Sequence, residues 1–358
     1  MADPPEQTTP RKRRPRYGGK NPRAFHEKYK ELDPARYATD VEKVLASGKT
    51  PAGSHRPIMV DEVLECLRPQ PGEVAVDCTL GGGGHARAIL DRIQPGGRLI
   101  ALDVDPLELP RTEARLRGSG FGPEVLTVHH SNFAGIVGVL AAEGLTQADV
   151  ILADLGVSSM QLDNPDRGFG YKARGPLDMR MNPRRGHPAA HLIARSTARQ
   201  LTQILSDNAD EPHAEMVAGL LKQAPIETTE ALEHAVRTGL TAAGVADDDV
   251  MLSVRRTFQA LRIAVNDEFS ALDWLLRSLP DCLSPGGRVA MLTFHSGEDR
   301  RVKKAFQSGH RDGIYASIAA DVTRASAEET RANRRASSAK LRWALRAGES
   351  STDRGDVP

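Results

Sequence analysis

Acidic residues and glycines occur together in a short stretch of this chain, between residues 74 and 103. An apolar run, 74–76, ends in Asp77, and the four glycines 81–84 and a histidine follow a few positions later. Glycine allows the backbone to turn sharply and approach a ligand, and the helix predicted to follow begins with unpaired N–H groups. A second apolar run ends in Asp103, twenty positions after Gly83, where an acid commonly binds ribose hydroxyls. The pattern predicts a cradle for a nucleoside-containing cofactor.

Charge discriminates between the cofactors that such a cradle binds. The G-x-G-x-x-G spacing that holds a pyrophosphate fits this loop only loosely. Asp77 would repel a pyrophosphate, whereas it would attract the ammonium and sulfonium groups of S-adenosylmethionine. The sequence therefore favours S-adenosylmethionine over a nicotinamide dinucleotide. A glycine loop that only turns the chain is the remaining interpretation.

Composition narrows the class of protein. The 358 residues contain no apolar stretch of membrane-spanning length, and the first residues lack a signal-peptide pattern. The three cysteines are dispersed without a C-x-x-C pair, so neither a disulfide framework nor a cysteine zinc site is expected. We therefore expect a cytoplasmic protein with no membrane partner and no metal.

The net charge of +1 conceals a segregation of charge. Residues 1–54 carry 12 Lys and Arg against 7 Asp and Glu, and residues 324–346 carry 7 against 2, while residues 55–323 are acidic with 28 against 35. Basic flanks favour a polyanionic partner such as RNA. The run Arg11–Arg14 has the composition of a disordered arm that contacts phosphates, and a merely solubilising tail is the alternative.

Strands and helices alternate along the middle of the chain, which predicts a doubly wound α/β fold with a parallel sheet. The predicted strands are 74–78, 98–103, 124–129, 149–154 and 288–294. The predicted helices are 58–67, 85–93, 106–117, 132–143, 189–206, 212–223, 228–243 and 255–278. The predicted divisions are a basic arm (1–54), a core in two parts (55–162 and 255–346), a helical insertion for substrate recognition (163–254) and a disordered tail (347–358).

Four strand ends carry reactive side chains. They are the glycine loop, 103–105, 154–159 and 293–300. In an open α/β sheet the ligand lies at the carboxyl ends of the strands, so these segments are expected to line one crevice. Their convergence predicts a functional site.

The motifs resemble those of one known family. They are His55–Val60, Asp77–His85, Asp154–Asp163, Arg167–Tyr171, Gly175–Met181, Arg256–Ile263 and Phe294–Arg300. Their order and identity closely resemble the RsmH (MraW) family of small-subunit ribosomal RNA methyltransferases, from about His55 to Arg346. The resemblance implies a Rossmann-like methyltransferase core with an inserted helical domain. It also implies methylation by S-adenosylmethionine of the exocyclic N4 of a cytidine in the decoding region of 16S rRNA, either free or in the assembled small subunit.

The resemblance also implies which residues contact the cofactor. They are Gly83, Gly84, His85, Asp103, Phe133, Asp154 and Gln161. The residue types fit these roles, because an acid such as Asp103 accepts from ribose hydroxyls and a ring such as Phe133 stacks near adenine.

The catalytic residues follow from the proposed chemistry. Cytosine N4 is a weak nucleophile, so the site must accept hydrogen bonds from the amine as it becomes tetrahedral, and Asp154 is the candidate. Ser158 or Ser159 is a candidate to hydrogen-bond the base, and Phe169 and Tyr171 are candidates to stack on it. His295 is a candidate base, although a role in orienting or packing the pocket is favoured, and His295-x-Gly-Glu298 is not a metal signature.

Three departures from the family pattern concern RNA contacts. Leu252–Val254 stand where His-Pro-Ala is usual, and Glu215, Met216 and Gly219 replace cationic residues of the insertion. These changes weaken the expected phosphate contacts. Two alternatives to the rRNA enzyme stay open: a methyltransferase of the same fold acting on another RNA or DNA amine, and a non-catalytic RNA-binding assembly factor.

Overall fold

The strands form one twisted sheet in the computed structural model, which describes residues 57–348. The arm predicted at 1–54 and most of the predicted tail lie outside these residues. The strands are β1 (Val74–Asp77), β2 (Arg98–Asp103), β3 (Leu126–His130), β4 (Ala148–Asp154), β5 (Leu283–Thr293), β6 (Tyr315–Ile318) and β7 (Lys340–Arg346). They are ordered β3-β2-β1-β4-β5-β7-β6, and only β7 runs antiparallel to its neighbours. The predicted doubly wound α/β fold is confirmed.

The described residues contain thirteen α-helices, six of which pack on the sheet. They are α1 (Val60–Leu67), α2 (Gly84–Ile93), α3 (Leu109–Gly118), α4 (Ile136–Ala142), α5 (Ser159–Asp163), α6 (Ala189–Arg195), α7 (Ala198–Ala209), α8 (Ala214–Leu221), α9 (Thr229–Ala242), α10 (Asp247–Asn266), α11 (Glu268–Cys282), α12 (Ser296–Arg311) and α13 (Ala327–Ala332). Apolar residues of α1, α2 and α3 pack on one face, and those of α4, α11 and α12 pack on the other. Burial on both faces explains why β1, β2 and β4 are almost continuously apolar.

The chain between β4 and β5 forms a second core. Helices α6 to α10 surround buried residues that include Leu201, Val217, Leu232 and Leu261. Helix α10 runs unbroken across the predicted boundary at 254/255, and its buried residues on both sides of it, such as Val250 and Leu261, belong to this second core. No helix within residues 57–348 is long and apolar enough to cross a membrane.

Two of the predicted helices are wrong. The helix predicted at 255–278 is two helices, because Asp267 adopts a left-handed conformation (φ 51°) between α10 and α11. The acids 247–249 do not interrupt helical structure but form the first turn of α10, where negative charge complements the helix dipole. The helix predicted at 189–206 is also two, because Thr197 caps a new helix, α7.

Candidate active site

Three acids lie at the carboxyl ends of neighbouring parallel strands. Asp77 ends β1, Asp103 ends β2 and Asp154 ends β4. Strand β1 lies between β2 and β4, so the three side chains belong to one edge of the sheet. The next strand, β5, leads into Phe294 and His295 at the same edge, because Asp154 is in register with Leu292. The sequence-predicted crevice is therefore formed at this edge.

The glycine loop is fixed by contacts on its protein side. Gly83 has φ +72°, and a Cβ there would lie 2.7 Å from Thr112 Cγ2, while a Cβ on Gly84 would overlap Pro57. The Thr112 hydroxyl donates to the Gly81 carbonyl at 2.6 Å. Gly82, in contrast, is exposed, and a Cβ there would meet no atom within 4 Å. Gly83 and Gly84 thus shape the loop by close packing, and the open side of the loop is at Gly82.

Asp103 joins the loop to the second strand. Its Oδ2 accepts from the Gly81 N–H at 2.7 Å, and its Oδ1 accepts from the Asp105 N–H at 2.8 Å. Burial raises the pKa of this carboxyl, while these backbone donors lower it. Each carboxylate oxygen keeps a further lone pair. Asp103 therefore positions the loop and retains the capacity to accept from ribose hydroxyls.

His85 connects the first turn of α2 with Asp154. Its Nε2 lies 2.9 Å from the Ile58 carbonyl oxygen, so Nε2 carries the proton that is donated. Its Nδ1 lies 3.6 Å from Asp154 Oδ2. Burial lowers the pKa of His85, which favours the neutral ring. The neutral ring presents its Nδ1 lone pair to Asp154.

Two of the buried carboxyl oxygens that have no hydrogen-bond partner within the described residues lie at the ends of β1 and β4, beside the glycine loop. They are Asp154 Oδ1 and Asp77 Oδ2. Burial, and secondarily the charge of Glu298, raises the pKa of Asp154 to about 7, and burial raises the pKa of Asp77 to about 6. Buried acids without partners are costly, and a cationic ligand at this edge would relieve that cost. The site thus fits a cofactor that carries positive charge.

A buried network beside the crevice contains Gln161. Its Nε2 donates to Asp105 Oδ2 at 2.7 Å, and Arg167 Nη1 donates to the same oxygen at 2.7 Å. Arg167 Nη2 also donates to the carbonyls of Arg180 and Met181. The structure therefore places Gln161 in a network that ties the segment at 180–181 to the end of β2. Sequence reasoning gave no role to Asp105 or Arg167, although both lie in segments that it selected.

Ser158 and Ser159 begin the short helix α5. The Ser158 hydroxyl accepts from the Gln161 N–H at 3.2 Å, and Gln161 Oε1 accepts from the Ser158 N–H at 2.9 Å, which completes a capping box. Both serines are partly exposed. The Ser158 hydroxyl oxygen accepts a hydrogen bond in this cap, and its hydroxyl proton remains free to be donated to a ligand.

His295 caps helix α12. Its Nδ1 accepts from the Glu298 N–H at 3.4 Å, and its Nε2 lies 3.1 Å from Glu298 Oε1. Glu298 in turn accepts from the Phe294 N–H at 2.8 Å. Nδ1 is thus engaged in the helix cap, which supports an orienting role for His295, whereas the buried Nε2 forms no hydrogen bond within the described residues despite its distance from Glu298.

Two carboxylates and one guanidinium lie close to His295. Ligand atoms of Glu268, His295 and Glu298 lie within 4.8 Å of one another, a spacing that would suit a metal ion. However, Arg262 donates to both oxygens of Glu268 at 2.8 Å. The guanidinium therefore neutralises one of the two carboxylates in this group.

The three aromatic candidates differ in accessibility. Phe133 begins a short 3-10 helix after β3 and is only partly buried. Phe169 lies in the core of the insertion and is only 5% exposed. It is therefore unavailable to stack on a base, contrary to the role considered from the sequence. Tyr171 is partly exposed, packs edge-on against Phe258, and its hydroxyl accepts from Arg255. Of the two candidates for stacking, Tyr171 is the accessible one.

The fold and site define a doubly wound α/β protein with a glycine cradle and carboxylates at the strand ends. Residues 52–347 match the model of the MraW methylase family. Ribosomal RNA small subunit methyltransferase H 2 of Alkaliphilus metalliredigens is 48% identical, over 94% of this chain and 98% of that protein. Ribosomal RNA small subunit methyltransferase H 1 of Lachnoclostridium phytofermentans is 47% identical, over 94% of this chain and 93% of that protein. The chain belongs to the MraW methylase family, and the resemblance inferred from its motifs is confirmed.

One solved structure similar to this chain is a putative rRNA methylase from Clostridium thermocellum. It covers 81% of this chain and 94% of its own length, with 9% sequence identity and a TM-score of 0.38.

Proposed function

We propose that this chain transfers a methyl group from S-adenosylmethionine to the exocyclic N4 of a cytidine in the decoding region of 16S rRNA. Family membership and the names of its close relatives support the small-subunit rRNA as substrate. The observation that carries the cofactor assignment is the pair of partnerless carboxyl oxygens on Asp77 and Asp154 beside the glycine loop. Since rRNA is a cytoplasmic molecule, the proposal extends to a cytoplasmic location.

The chain's own residues have distinct roles in binding the cofactor. Bound S-adenosylmethionine supplies a methyl group already activated by its sulfonium. Asp77 and Asp154 compensate positive charge, Asp103 accepts from ribose hydroxyls, and Phe133 flanks the base of the nucleoside. Gly83 and Gly84 permit the turn, and the first N–H groups of α2 face the ligand. Gln161 acts indirectly, by holding Asp105 and through it the end of β2.

Asp154 is the proposed acceptor for the amine. Its carboxyl has a pKa of about 7, so a substantial fraction is ionised at neutral pH and accepts a hydrogen bond from the N4 amino group. His85 Nδ1 lies 3.6 Å from the same carboxyl and offers a second acceptor for the proton that the amine loses. Ser158, Ser159 and Tyr171 are positioned to hold the base, which must leave its stack to reach the site. His295 orients the wall of the pocket through Glu298.

Methyl transfer by the purified chain tests this proposal. Labelled S-adenosylmethionine is incubated with the chain and with one of four substrates: free 16S rRNA, assembled small subunits, 23S rRNA or DNA. The labelled nucleosides are then identified by mass spectrometry. N4-methylcytidine in 16S rRNA, free or assembled, supports the proposal. Label in another RNA or in DNA indicates the alternative substrate class. RNA binding without transfer indicates an assembly factor.

A further inference from the structure

One segment of the acidic middle of the chain lacks acids entirely. Residues 179–206 contain five arginines and two histidines and no Asp or Glu, whereas residues 55–323 as a whole have an excess of acids. The net negative charge of residues 55–323 therefore does not apply to this segment, which is positively charged. Three exposed positions of α8 hold Glu215, Met216 and Gly219, none of which carries positive charge. RNA contacts must therefore be sought elsewhere on the insertion.

The acid-free segment begins beside the active-site crevice. Arg167, which bonds Asp105 after β2, also donates to the carbonyls of Arg180 and Met181. Asn182 Nδ2 lies 3.4 Å from His130 Nε2, at the end of β3. Two independent contacts thus place the start of this segment at the carboxyl edge of the sheet, where the target base must enter.

Five exposed side chains of this segment form a strip. The strip consists of Arg184, Arg185, His187, His191 and Arg195. The rings of His187 and His191 stack with centroids 4.2 Å apart, which joins the turn to α6. His191 and Arg195 are four residues apart on α6 and share its exposed face.

The strip is not neutralised by the rest of the described protein. Within residues 57–348, none of its three arginines forms a salt bridge, whereas the neighbouring Arg180 pairs with Asp178 at 2.7 Å. Unpaired arginines on a protein surface present donors that match phosphate oxygens.

We propose that the strip Arg184–Arg185–His187–His191–Arg195 binds the phosphodiester backbone of the RNA strand that delivers the target cytidine. This inference rests on the proposed function, because it assumes that RNA is the substrate. RNA is favoured over an acidic protein surface because the strip adjoins the crevice that a flipped base must reach. The strip would then supply phosphate contacts that α8 lacks.

The test compares two double variants of the full chain. Arg184→Ala/Arg185→Ala removes two arginines of the strip. Arg92→Ala/Arg277→Ala removes two exposed arginines elsewhere, with Arg92 in the last turn of α2. That turn lies at the opposite edge of the sheet, since the helices of α/β units run antiparallel to the strands. Affinity for a free 16S rRNA fragment and for assembled small subunits is measured for both variants and wild type across a salt series. Affinity for S-adenosylmethionine and melting temperature are measured as well.

The strip variant is expected to lower the slope of log affinity against log salt by about 1.4–1.8, at roughly 0.7–0.9 for each lost phosphate contact. The control variant should change this slope far less, and cofactor affinity and melting temperature should match wild type in both. Equal slopes for strip variant and wild type would overturn the proposal. So would weakened binding to assembled subunits with unchanged binding to free RNA, which would indicate a ribosomal protein partner. If wild type bound no RNA at all, the proposed function itself would fail.

Discussion

The charged form of Asp154 lowers the stability of the folded protein, but the proposed function requires it. Its side chain is 28% exposed, but one carboxyl oxygen, Oδ1, is buried without a hydrogen-bond partner, and the carboxyl lies near the negative charge of Glu298. A residue selected for stability alone would not carry a charge here. The sequence predicted that Asp154 lies in the crevice because it follows an apolar strand. It also placed the segments of His85 and Glu298 in the same crevice, but not the individual contacts that these two side chains make with Asp154, since those depend on the packing of distant segments.

Replacing Asp154 by asparagine is expected to stabilise the cofactor-free protein and impair methyl transfer. The pKa of Asp154 rises from 3.8 to about 7 on folding. Between these values the folded state keeps a proton that the unfolded state has released, so stability falls as pH rises through this window. Asp154→Asn removes that loss of stability, so we expect its free energy of unfolding at pH 8 to be higher than that of wild type by about 1 kcal/mol. This gain corresponds to a Tm increase of roughly 2–4 °C.

Thermal melts at pH 4 and pH 8 check this effect, with the exposed Asp91→Asn in α2 as the control. The Tm advantage of Asp154→Asn should appear at pH 8 and shrink toward pH 4. Its single-turnover rate should fall, with little change in RNA affinity, because the carboxylate acts on the reacting amine. A Tm difference that is the same at both pH values would contradict the assigned pKa, and an unchanged rate would contradict the assigned role.

Asp103 is expected to contribute to cofactor affinity in two ways. Asp103→Ala removes the acceptor for ribose hydroxyls and also frees the Gly81 N–H that the carboxylate holds. Loss of a hydrogen bond to a charged group costs about 1.5–3 kcal/mol, or roughly ten- to a hundredfold in affinity. Calorimetry with S-adenosylmethionine measures this loss. Affinity equal to that of wild type would remove Asp103 from the cofactor site.

At the scale of elements, the predictable features are those with strong local patterns. The apolar strands β1, β2 and β4 and the helices between them were predicted nearly as they occur, because burial on both faces leaves a continuous apolar signature. Strands β6 and β7 were missed. Strand β7 contains Lys340, Arg342 and Arg346, and Arg342 is buried only because it pairs with Asp299 at 2.7 Å. That partner lies 43 positions away, so no local pattern reveals it.

The junction between α10 and α11 depends on Asp267. Its left-handed conformation costs about 1 kcal/mol for a residue such as alanine and little for glycine. We therefore expect Asp267→Ala to destabilise the protein by roughly 1 kcal/mol and Asp267→Gly to be neutral or stabilising. Urea unfolding of both variants measures this. If alanine were tolerated as well as glycine, the helix break would not depend on this conformation.

The network of Asp105, Gln161 and Arg167 is expected to stabilise the segment next to the crevice. Arg167→Met leaves the buried Asp105 without its cationic partner, and breaking a buried pair in this way costs about 3–5 kcal/mol. Adding Asp105→Asn should recover much of the loss, because the unpaired charge is then removed.

Urea unfolding provides the measurement, with Arg174→Met as the matched control. Arg174 and Glu230 form a highly exposed pair, for which a change of about 0–1 kcal/mol is expected. If Arg167→Met cost no more than this control, or if Asp105→Asn gave no recovery, the network would not stabilise the segment.

At the scale of the whole molecule, the sheet brings together residues that are far apart in sequence. Asp77, Asp103 and Asp154 meet because a parallel sheet collects its carboxyl ends at one edge, and this much follows from the strand order. The continuation of the insertion along α10, past the predicted boundary at 254/255, does not follow from local sequence. Neither does the position of residues 180–182, just before the cationic strip, which depends on long-range bonds to Arg167 and His130.

The most direct test of the proposed function is the methylation state of 16S rRNA in cells of the source organism with and without the gene. We expect N4-methylation of one cytidine in the decoding region to disappear when the gene is deleted. Wild-type protein should restore it, whereas Asp154→Asn should restore it poorly. Methylation of that cytidine that persists unchanged in the deletion strain would contradict the proposed function.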